Sequence, residues 1–347
     1  MINLAIIGTG GMANAHAQHF QKIDGVKLVA ACDVDAKRAA AYAEKYGIPE
    51  TYTQVDTLLK QSRCDAVSIV TPDPYHAPIS LQALRAGRHV FCEKPLATNA
   101  ADAAKMAKVA REKQRINMVN FTYRNAAALQ RAAELVEEGA LGEIRHVSAS
   151  YLQSWLTCRA WGEWRTSPNW LWRLSSAHGS KGVLGDIGVH LLDFASFPVG
   201  RMKAINCKLQ TFKKARGNKI GAYVLDANDS AFLRVEYANG AVGSVEMTRF
   251  ATGHINSVFL SIHGTEGALR LDLDRSYNEI EVCLGEDRHT ATWRVESCPP
   301  VPSMYERFVR AVESGEGSQP DFARGAEIQK ALDACFISDA EDRTLKL

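Results

Sequence analysis

The chain has 347 residues, more than one domain of average size needs and enough for two, each with a full core. Its 41 basic and 39 acidic residues leave a formal charge of +2, so no electrostatic footprint points to nucleic acid or to an anionic membrane. The 8 cysteines are scattered, with no CxxC pair, which suits free thiols in a reducing compartment. No leader-like segment precedes the first strand pattern, and no apolar run is long enough to span a bilayer, so the expected setting is the cytoplasm.

Short apolar runs open the chain: "INLAIIG" (2–8), "KLVAACD" (27–33), "AVSIV" (66–70), "HVFCE" (89–93) and "INMVNF" (116–121). They read as strands buried on both faces. Between them lie segments of helical spacing, such as "AKRAAAYAEKYG" and "AADAAKMAKVAREKQ". Strand and helix in alternation predict an α/β domain over 1–121, a doubly wound parallel sheet of Rossmann type with right-handed crossovers. Ligands of such sheets sit at the carboxyl ends of the strands.

The first of those ends reads "GTGGMA", in which Gly8, Gly10 and Ala13 fit G-x-G-x-x-G/A, with Gly11 and Met12 in the same turn. A tight turn, a side-chain-free approach and a helix N-terminus are what a dinucleotide pyrophosphate requires. Asp33 ends the second strand, where a carboxylate accepts the adenosine ribose hydroxyls. That carboxylate repels a 2′-phosphate and favours NAD, whereas Lys37 and Arg38, a turn later, leave NADP open. "VTPDPYH" ends a later strand and supplies a second wall through Thr71, Pro72, Asp73 and His76. Glu93-Lys94-Pro95 ends the next and is expected to border the cofactor on the nicotinamide side.

Residues 122–347 read as an α+β domain built on a large, mostly antiparallel open sheet, with a soft boundary near Phe121. "SAFLRVEYANGAVGSVEMTRF" alternates strictly, and Asn239-Gly240 predicts a type I′ hairpin. Helices are expected near 126–138, 186–197, 303–314 and 325–340. In "GDIGVHLLDFA", Asp186, His190 and Asp193 share one helix face, while Ile187, Leu191 and Phe194 form an apolar stripe. A carboxylate one turn from an imidazole fixes its tautomer and raises its basicity, as a base for an alcohol proton requires; a capping aspartate and a core histidine would show the same spacing.

Ahead of that helix, "SWLTCRAWGEWRTSPNWLWRLSSAHGSKG" holds five of the 6 tryptophans, interleaved with Arg159, Arg165 and Arg173. Aromatic faces beside guanidinium groups suit a sugar, and about half of these tryptophans are expected only to pack the loop. Trp164 and Arg165 are candidate substrate contacts. Neither H-E-x-x-H nor a tight Cys/His cluster occurs, and no metal is expected.

"GTGGMA", "TPDPYH", "EKPLA", "YR" (Tyr123, Arg124), "GDIGVHLLD" and "IHGTEGALRL" follow one another in an order that resembles the glucose-fructose oxidoreductase, inositol dehydrogenase and rhizopine-catabolism family (Gfo/Idh/MocA) over nearly the whole chain. The resemblance implies an NAD(P)-dependent oxidoreductase that moves a hydride between nicotinamide and a hydroxyl carbon of a sugar, polyol or sugar derivative. It implies catalytic roles for Lys94, Asp186 and His190: His190 as base, Asp186 orienting it, Lys94 on the reacting oxygen. Tyr123, Arg124, Trp172 and Arg173 become substrate-side residues, and the outer sheet face is expected to make a homodimer or homotetramer. Two positions depart from the family pattern: Asp73 replaces a usual asparagine, and Gly179-Ser180-Lys181-Gly182 replaces a glycine run, with Lys181 a recognition charge. A redox glycosidase, which oxidises a sugar, eliminates the aglycone and returns the hydride, would use the same residues. A cofactor-sensing regulator is a third reading, set against by the presence of both Lys94 and His190.

Overall fold

A computed structural model describes residues 1–347. The chain divides into two compact units, one of residues 1–122 and 302–330, the other of residues 123–301 and 331–347.

The first unit alternates strand and helix as its periodicity dictates: β1 (Ile2–Ile7), α1 (Ala13–Phe20), β2 (Val26–Cys32), α2 (Ala36–Tyr46), β3 (Glu50–Tyr52), α3 (Val55–Gln61), β4 (Ala66–Ile69), α4 (His76–Arg85), β5 (His89–Cys92), α5 (Ala100–Glu112) and β6 (Asn117–Val119). All strand pairs are parallel, in the order β3-β2-β1-β4-β5-β6. The order reverses between β1 and β4, which makes the switch point where such sheets take ligands. β3, "ETY", is a strand that sequence reading passes over, because three residues, none of them buried, are too few to carry a periodicity. Caps follow the sequence: the Asp35 carboxylate accepts from the amides of Lys37 and Arg38, and Gly47 closes α2 in the left-handed region at φ 65°.

The second unit carries α6 (Ala127–Glu137), β7 (Ile144–Gln153), the short α7 (Pro168–Leu171), α8 (Val189–Ser196), β8 (Met202–Gln210), a ribbon of β9 (Lys219–Ile220) and β10 (Tyr223–Val224), β11 (Ser230–Tyr237), β12 (Val242–Thr248), β13 (Asn256–Gly264), β14 (Gly267–Asp272), β15 (Glu279–Leu284), the short α9 (Asp287–Thr290) and β16 (Arg294–Ser297). α10 (Met304–Ser314) and α11 (Phe322–Glu341) follow, and β17 (Leu345–Lys346) closes the chain. The sheet has nine strands, β16-β15-β14-β13-β7-β12-β11-β8-β17. Only β7 and β12 pair in parallel. Along β11, Ala231, Leu233, Val235 and Tyr237 are buried, while Phe232 and Arg234 are exposed, so alternation sets its two faces.

Two expectations are corrected here. The hairpin after β11 is not type I′, which needs positive φ at both central residues: Gly240 alone has positive φ (91°), and its amide donates to Tyr237 O. Residues 302–330 do not stay with the second domain. α10 returns to the first sheet, where Met304, Tyr305, Phe308 and Val309 join Phe20, Phe91 and Met118 in one apolar core. Its amphipathic face, apolar at helical spacing, packs beside α1, and a Ser303/Glu306 capping box starts it.

Candidate functional site

At the switch point, the backbone dictates the residue types. Gly8 has φ 89°, and a Cβ there would lie 2.6 Å from Val70 O and 2.8 Å from Thr71 N, so only glycine lets β1 turn against the end of β4. A Cβ at Gly10 or Gly11 would meet nothing within 4 Å, and Met12 opens α1 half-exposed with no side-chain cap. An open, glycine-floored turn leading into a helix fits a pyrophosphate.

Asp33, at the end of β2, is more occupied than its sequence position suggests. It accepts from Thr9 N and Oγ1 (both 2.9 Å), from Asp35 N (3.0 Å), and from Arg38 through Nε (3.1 Å) and Nη2 (2.6 Å). Burial raises its pKa, yet the Arg38 fork and the amide donors outweigh it and hold the carboxyl well below the usual range. The carboxylate is thus fixed at the end of β2 with its lone pairs taken by donors from the fold, so a ribose hydroxyl would reach it by displacing Arg38, which stands beside it where a 2′-phosphate would bind. These residues fit an NAD-type dinucleotide.

Thr71 and Pro72 lead into a short 3₁₀ turn, Asp73–Tyr75, and then α4. His76, expected at the cofactor, is buried and turns both ring nitrogens onto carbonyls, Nδ1 onto Pro95 O (2.7 Å) and Nε2 onto Thr71 O (2.8 Å). Glu93 is also turned inward. Its carboxylate accepts from His16 Nε2 (2.8 Å), Asn120 Nδ2 (2.7 Å) and Lys94 N (3.1 Å). Its side chain is a structural hub that holds the strand end from which Lys94 departs. Lys94 is partly exposed at that end, next to a cis peptide to Pro95.

In the second unit, the helix bearing Asp186 and His190 starts with a π-helical turn, Leu184–Gly188, before α8. Gly188 permits it: a Cβ there would lie 2.8 Å from Met247 Sδ and 2.9 Å from Leu184 Cδ1. The i, i+4 register expected for Asp186 and His190 therefore crosses the end of a π turn, a distortion common where function fixes the backbone. Ile187, Leu191 and Phe194 are buried, as their stripe predicts.

Each carboxylate on this helix has an arginine. Asp186 Oδ2 accepts from Arg249 Nη2 (3.0 Å) and lies 3.7 Å from Arg173 Nε. Asp193 is gripped at both oxygens by Arg124, Nε at 2.6 Å and Nη2 at 2.7 Å, with the guanidinium 3.4 Å from the centre of the Phe197 ring. Both partners of that pair are buried, which corrects the expectation that Arg124 meets substrate: its fork is spent within the fold. Tyr123 changes role too. Its hydroxyl lies 2.5 Å from Tyr151 Oη; Tyr151 in turn donates to Asn256 Oδ1 (2.9 Å), and Asn256 Nδ2 donates back to Tyr123 (3.2 Å). This closed ring leaves Tyr123 no proton for a substrate. Burial leads its rise in pKa, to about 12. What Tyr123 offers is its ring, set edge-on to His190 at 5.3 Å.

The aromatic insertion sorts by burial. Trp155 and Trp164 sit in an apolar cluster with Leu156, Leu171, Leu174 and Leu225. Trp164 donates its indole N–H to Leu156 O (3.2 Å), so it is packing, contrary to its expected substrate role. Arg165 is exposed and lies over Trp164 at 4.5 Å. Trp172, 40% exposed, and Arg173, 4.6 Å from its ring centre, are the pair that still presents an aromatic face and a cation together. Lys181 is exposed, 5.9 Å from the Phe336 ring.

Sequence reading missed Arg249, His16, Asn120, Tyr151, Gln153 and Asn256. Tyr151 and Gln153 were findable: they occupy the inward positions of β7 with Val147 and Ala149, and polar residues on a buried face demand partners.

A family model described as an oxidoreductase family with an NAD-binding Rossmann fold matches residues 2–121, and one described as the GFO/IDH/MocA C-terminal domain matches residues 129–270. Levoglucosan dehydrogenase of Pseudarthrobacter phenanthrenivorans is 29% identical over 98% of this chain and 97% of its own. D-Glucoside 3-dehydrogenase of Escherichia coli is 32% identical over 72% of this chain and 70% of its own. The structure of a levoglucosan dehydrogenase in complex with NADH and L-sorbose superposes with a TM-score of 0.87 at 28% identity, covering 99% of this chain and 98% of that one.

Proposed function

The chain belongs to the GFO/IDH/MocA family of oxidoreductases, and from that premise we propose that it is a dehydrogenase, or the reverse reductase, for one hydroxyl carbon of a sugar or sugar derivative. The observation that carries this reading is the dinucleotide-fitting turn at Gly8 and Gly10 in a sheet whose strand β5 leads into Lys94; the second unit supports it with His190, held against the ring of Tyr123. The sugar class follows the relatives named for levoglucosan and glucosides, and the exposed Trp172 with the half-buried Arg173 beside it is suited to stacking a pyranose face and meeting its hydroxyls.

Bound NAD supplies the hydride acceptor. Gly8, Gly10, Gly11 and Met12 hold its pyrophosphate, Asp33 and Arg38 its adenosine ribose, and the Thr71–Asp73 wall borders it. His190 takes the hydroxyl proton as the carbon is oxidised. Lys94 donates a hydrogen bond to the same oxygen and stabilises its developing negative charge. Asp186, steadied by Arg249, orients the imidazole. A homodimer or homotetramer through the solvent face of the nine-stranded sheet is supported by Phe232, 52% exposed, and Val242, 48% exposed. A cytoplasmic setting is supported by 8 cysteines, all free, and no helix is long and apolar enough to cross a membrane.

The test incubates the protein with NAD or NADP and a panel of aldoses, inositols, sugar acids, anhydrosugars and glycosides, counting reduced nicotinamide per product. One reduced cofactor per oxidised sugar is expected, with NAD preferred. Aglycone released without net reduction would replace this reading with a redox glycosidase. Lys94→Ala and His190→Ala are each expected to lower kcat by at least about a thousandfold while NAD binding stays within about threefold; near-normal turnover in either would remove that residue from the mechanism.

A further inference from the structure

His76 opens α4 and is 1% exposed. Both of its ring nitrogens lie within hydrogen-bond reach of a backbone carbonyl, Nδ1 2.7 Å from Pro95 O and Nε2 2.8 Å from Thr71 O. Carbonyl oxygens only accept. A neutral imidazole has one N–H and one lone pair, so in either tautomer one contact would set lone pair against lone pair. Only the imidazolium donates to both.

We propose that His76 is a protonated clamp, a positioning residue that draws the carbonyls of Thr71 and Pro95 onto one ring and so fixes the backbone on which Lys94 stands. The two carbonyls belong to the segments that leave the adjacent strands β4 and β5, and one of them follows Lys94 directly. A displacement of the lysine stem by an ångström is enough to misplace its ammonium against a reacting oxygen. This inference rests on the catalytic role proposed for Lys94.

The surroundings favour the charge. Burial pulls the imidazole pKa down, whereas Cys92 at the end of β5, the Pro95 carbonyl and Asp73 in the 3₁₀ turn push it up, to about 10. The amino end of α4 opposes the charge, within the reach of one helical turn.

The full-length protein with NAD bound is labelled with ¹⁵N-histidine, and the His76 signals are identified by their loss in His76→Gln. The expected result is two protonated ring nitrogens at pH 8, with no titration near the ordinary value of about 6.5. One protonated nitrogen at pH 8 would overturn the clamp. Should His76→Gln not fold, neutron diffraction from the wild-type protein answers the same question through deuterium on one or both nitrogens. In kinetics, the glutamine amide can donate to one carbonyl while its oxygen faces the other. The expected result is about a hundredfold lower kcat with the sugar KM within about threefold. An unchanged kcat in a folded variant would overturn the positioning role. A wild-type protein with a doubly protonated His76 and no turnover on any sugar would sink the proposed reaction and not the clamp, whose protonation is read without turnover.

Discussion

Arg249 shows how a residue can govern a site from inside the core. Its guanidinium is wholly buried, donates to Arg173 O (3.1 Å) and Asp186 Oδ2 (3.0 Å), and lies 5.0 Å from the centre of the Trp155 ring. A buried cation that cannot give up its proton needs a carboxylate partner, and Asp186 is the one supplied. Arg249→Met should therefore lower kcat about a hundredfold with little change in sugar KM, because Asp186 loses the contact that aims it. Arg249→Lys keeps the charge without the fork and is expected to recover part of the loss. Steady-state kinetics on the folded variants checks this; an equal loss for lysine and methionine would mean that the fork, and not the charge, matters. Nothing in "EMTRF" announces this role, since a single arginine after an alternating strand reads as a solvated charge. Lys94, His190 and Asp33 could be proposed from the sequence because each follows a strand or helix signal with its own chemistry. Arg124 and Trp164 were misassigned because type and spacing do not tell whether a fork or an indole N–H is already spent inside the fold.

At the scale of elements, the parallel sheet and its first turn could be read from the chain because local geometry and function make the same demand at Gly8. The turn has φ 89°, and the space a Cβ would fill is taken by backbone atoms of Val70 and Thr71, which cannot swing aside. Gly8→Ala is expected to cost about 3 kcal/mol, from the left-handed conformation and from the overlap together. NAD affinity should fall with it, since β1 and β4 must part to admit the methyl. Urea unfolding with and without NAD measures both; a variant within about 0.5 kcal/mol of wild type would show that the loop relaxes freely. The π turn at Leu184–Gly188 was not legible, because the same residues satisfy a regular helix in spacing. Gly188 at its end lies where an added Cβ would meet Met247, on a strand far along the chain, an approach that the local sequence does not announce. The Asn239-Gly240 hairpin shows the converse: the dipeptide marks the turn, but the loop length decides its type, since Tyr237 N donates to Ala241 O and only Gly240, the last loop residue, takes positive φ.

For the molecule as a whole, alternation and apolar runs announced both units, but not that the first is discontinuous. The amphipathic pattern of α10 fixes that it must bury a face; which face receives it depends on apolar surface left open elsewhere, and the first sheet supplies Phe20, Phe91 and Met118. The polar centre of this unit has the same long reach. Glu93 from the end of β5 accepts from His16 of α1 and from Asn120 after β6, and Asn120 also lies 3.4 Å from Tyr305 Oη of α10. Burial raises the Glu93 pKa, but the His16 hydrogen bond and charge, the Asn120 amide and Lys94 overcome it and bring it from 4.5 down to about 2. A folded pKa depressed in this way stabilises the protein fully above the unfolded value near 4.5, and that stability drains away as pH falls toward 2. Glu93→Gln removes the titrating group while keeping its volume. The variant should be less stable than wild type at pH 7, and the gap should narrow steadily below pH 4.5 as the wild-type carboxylate takes up its proton. Urea midpoints measured from pH 7 to pH 3 on both proteins trace the two curves. Parallel curves would show that the carboxylate binds its proton equally well in the folded and unfolded chain, and would leave the hub with no hold on acid stability.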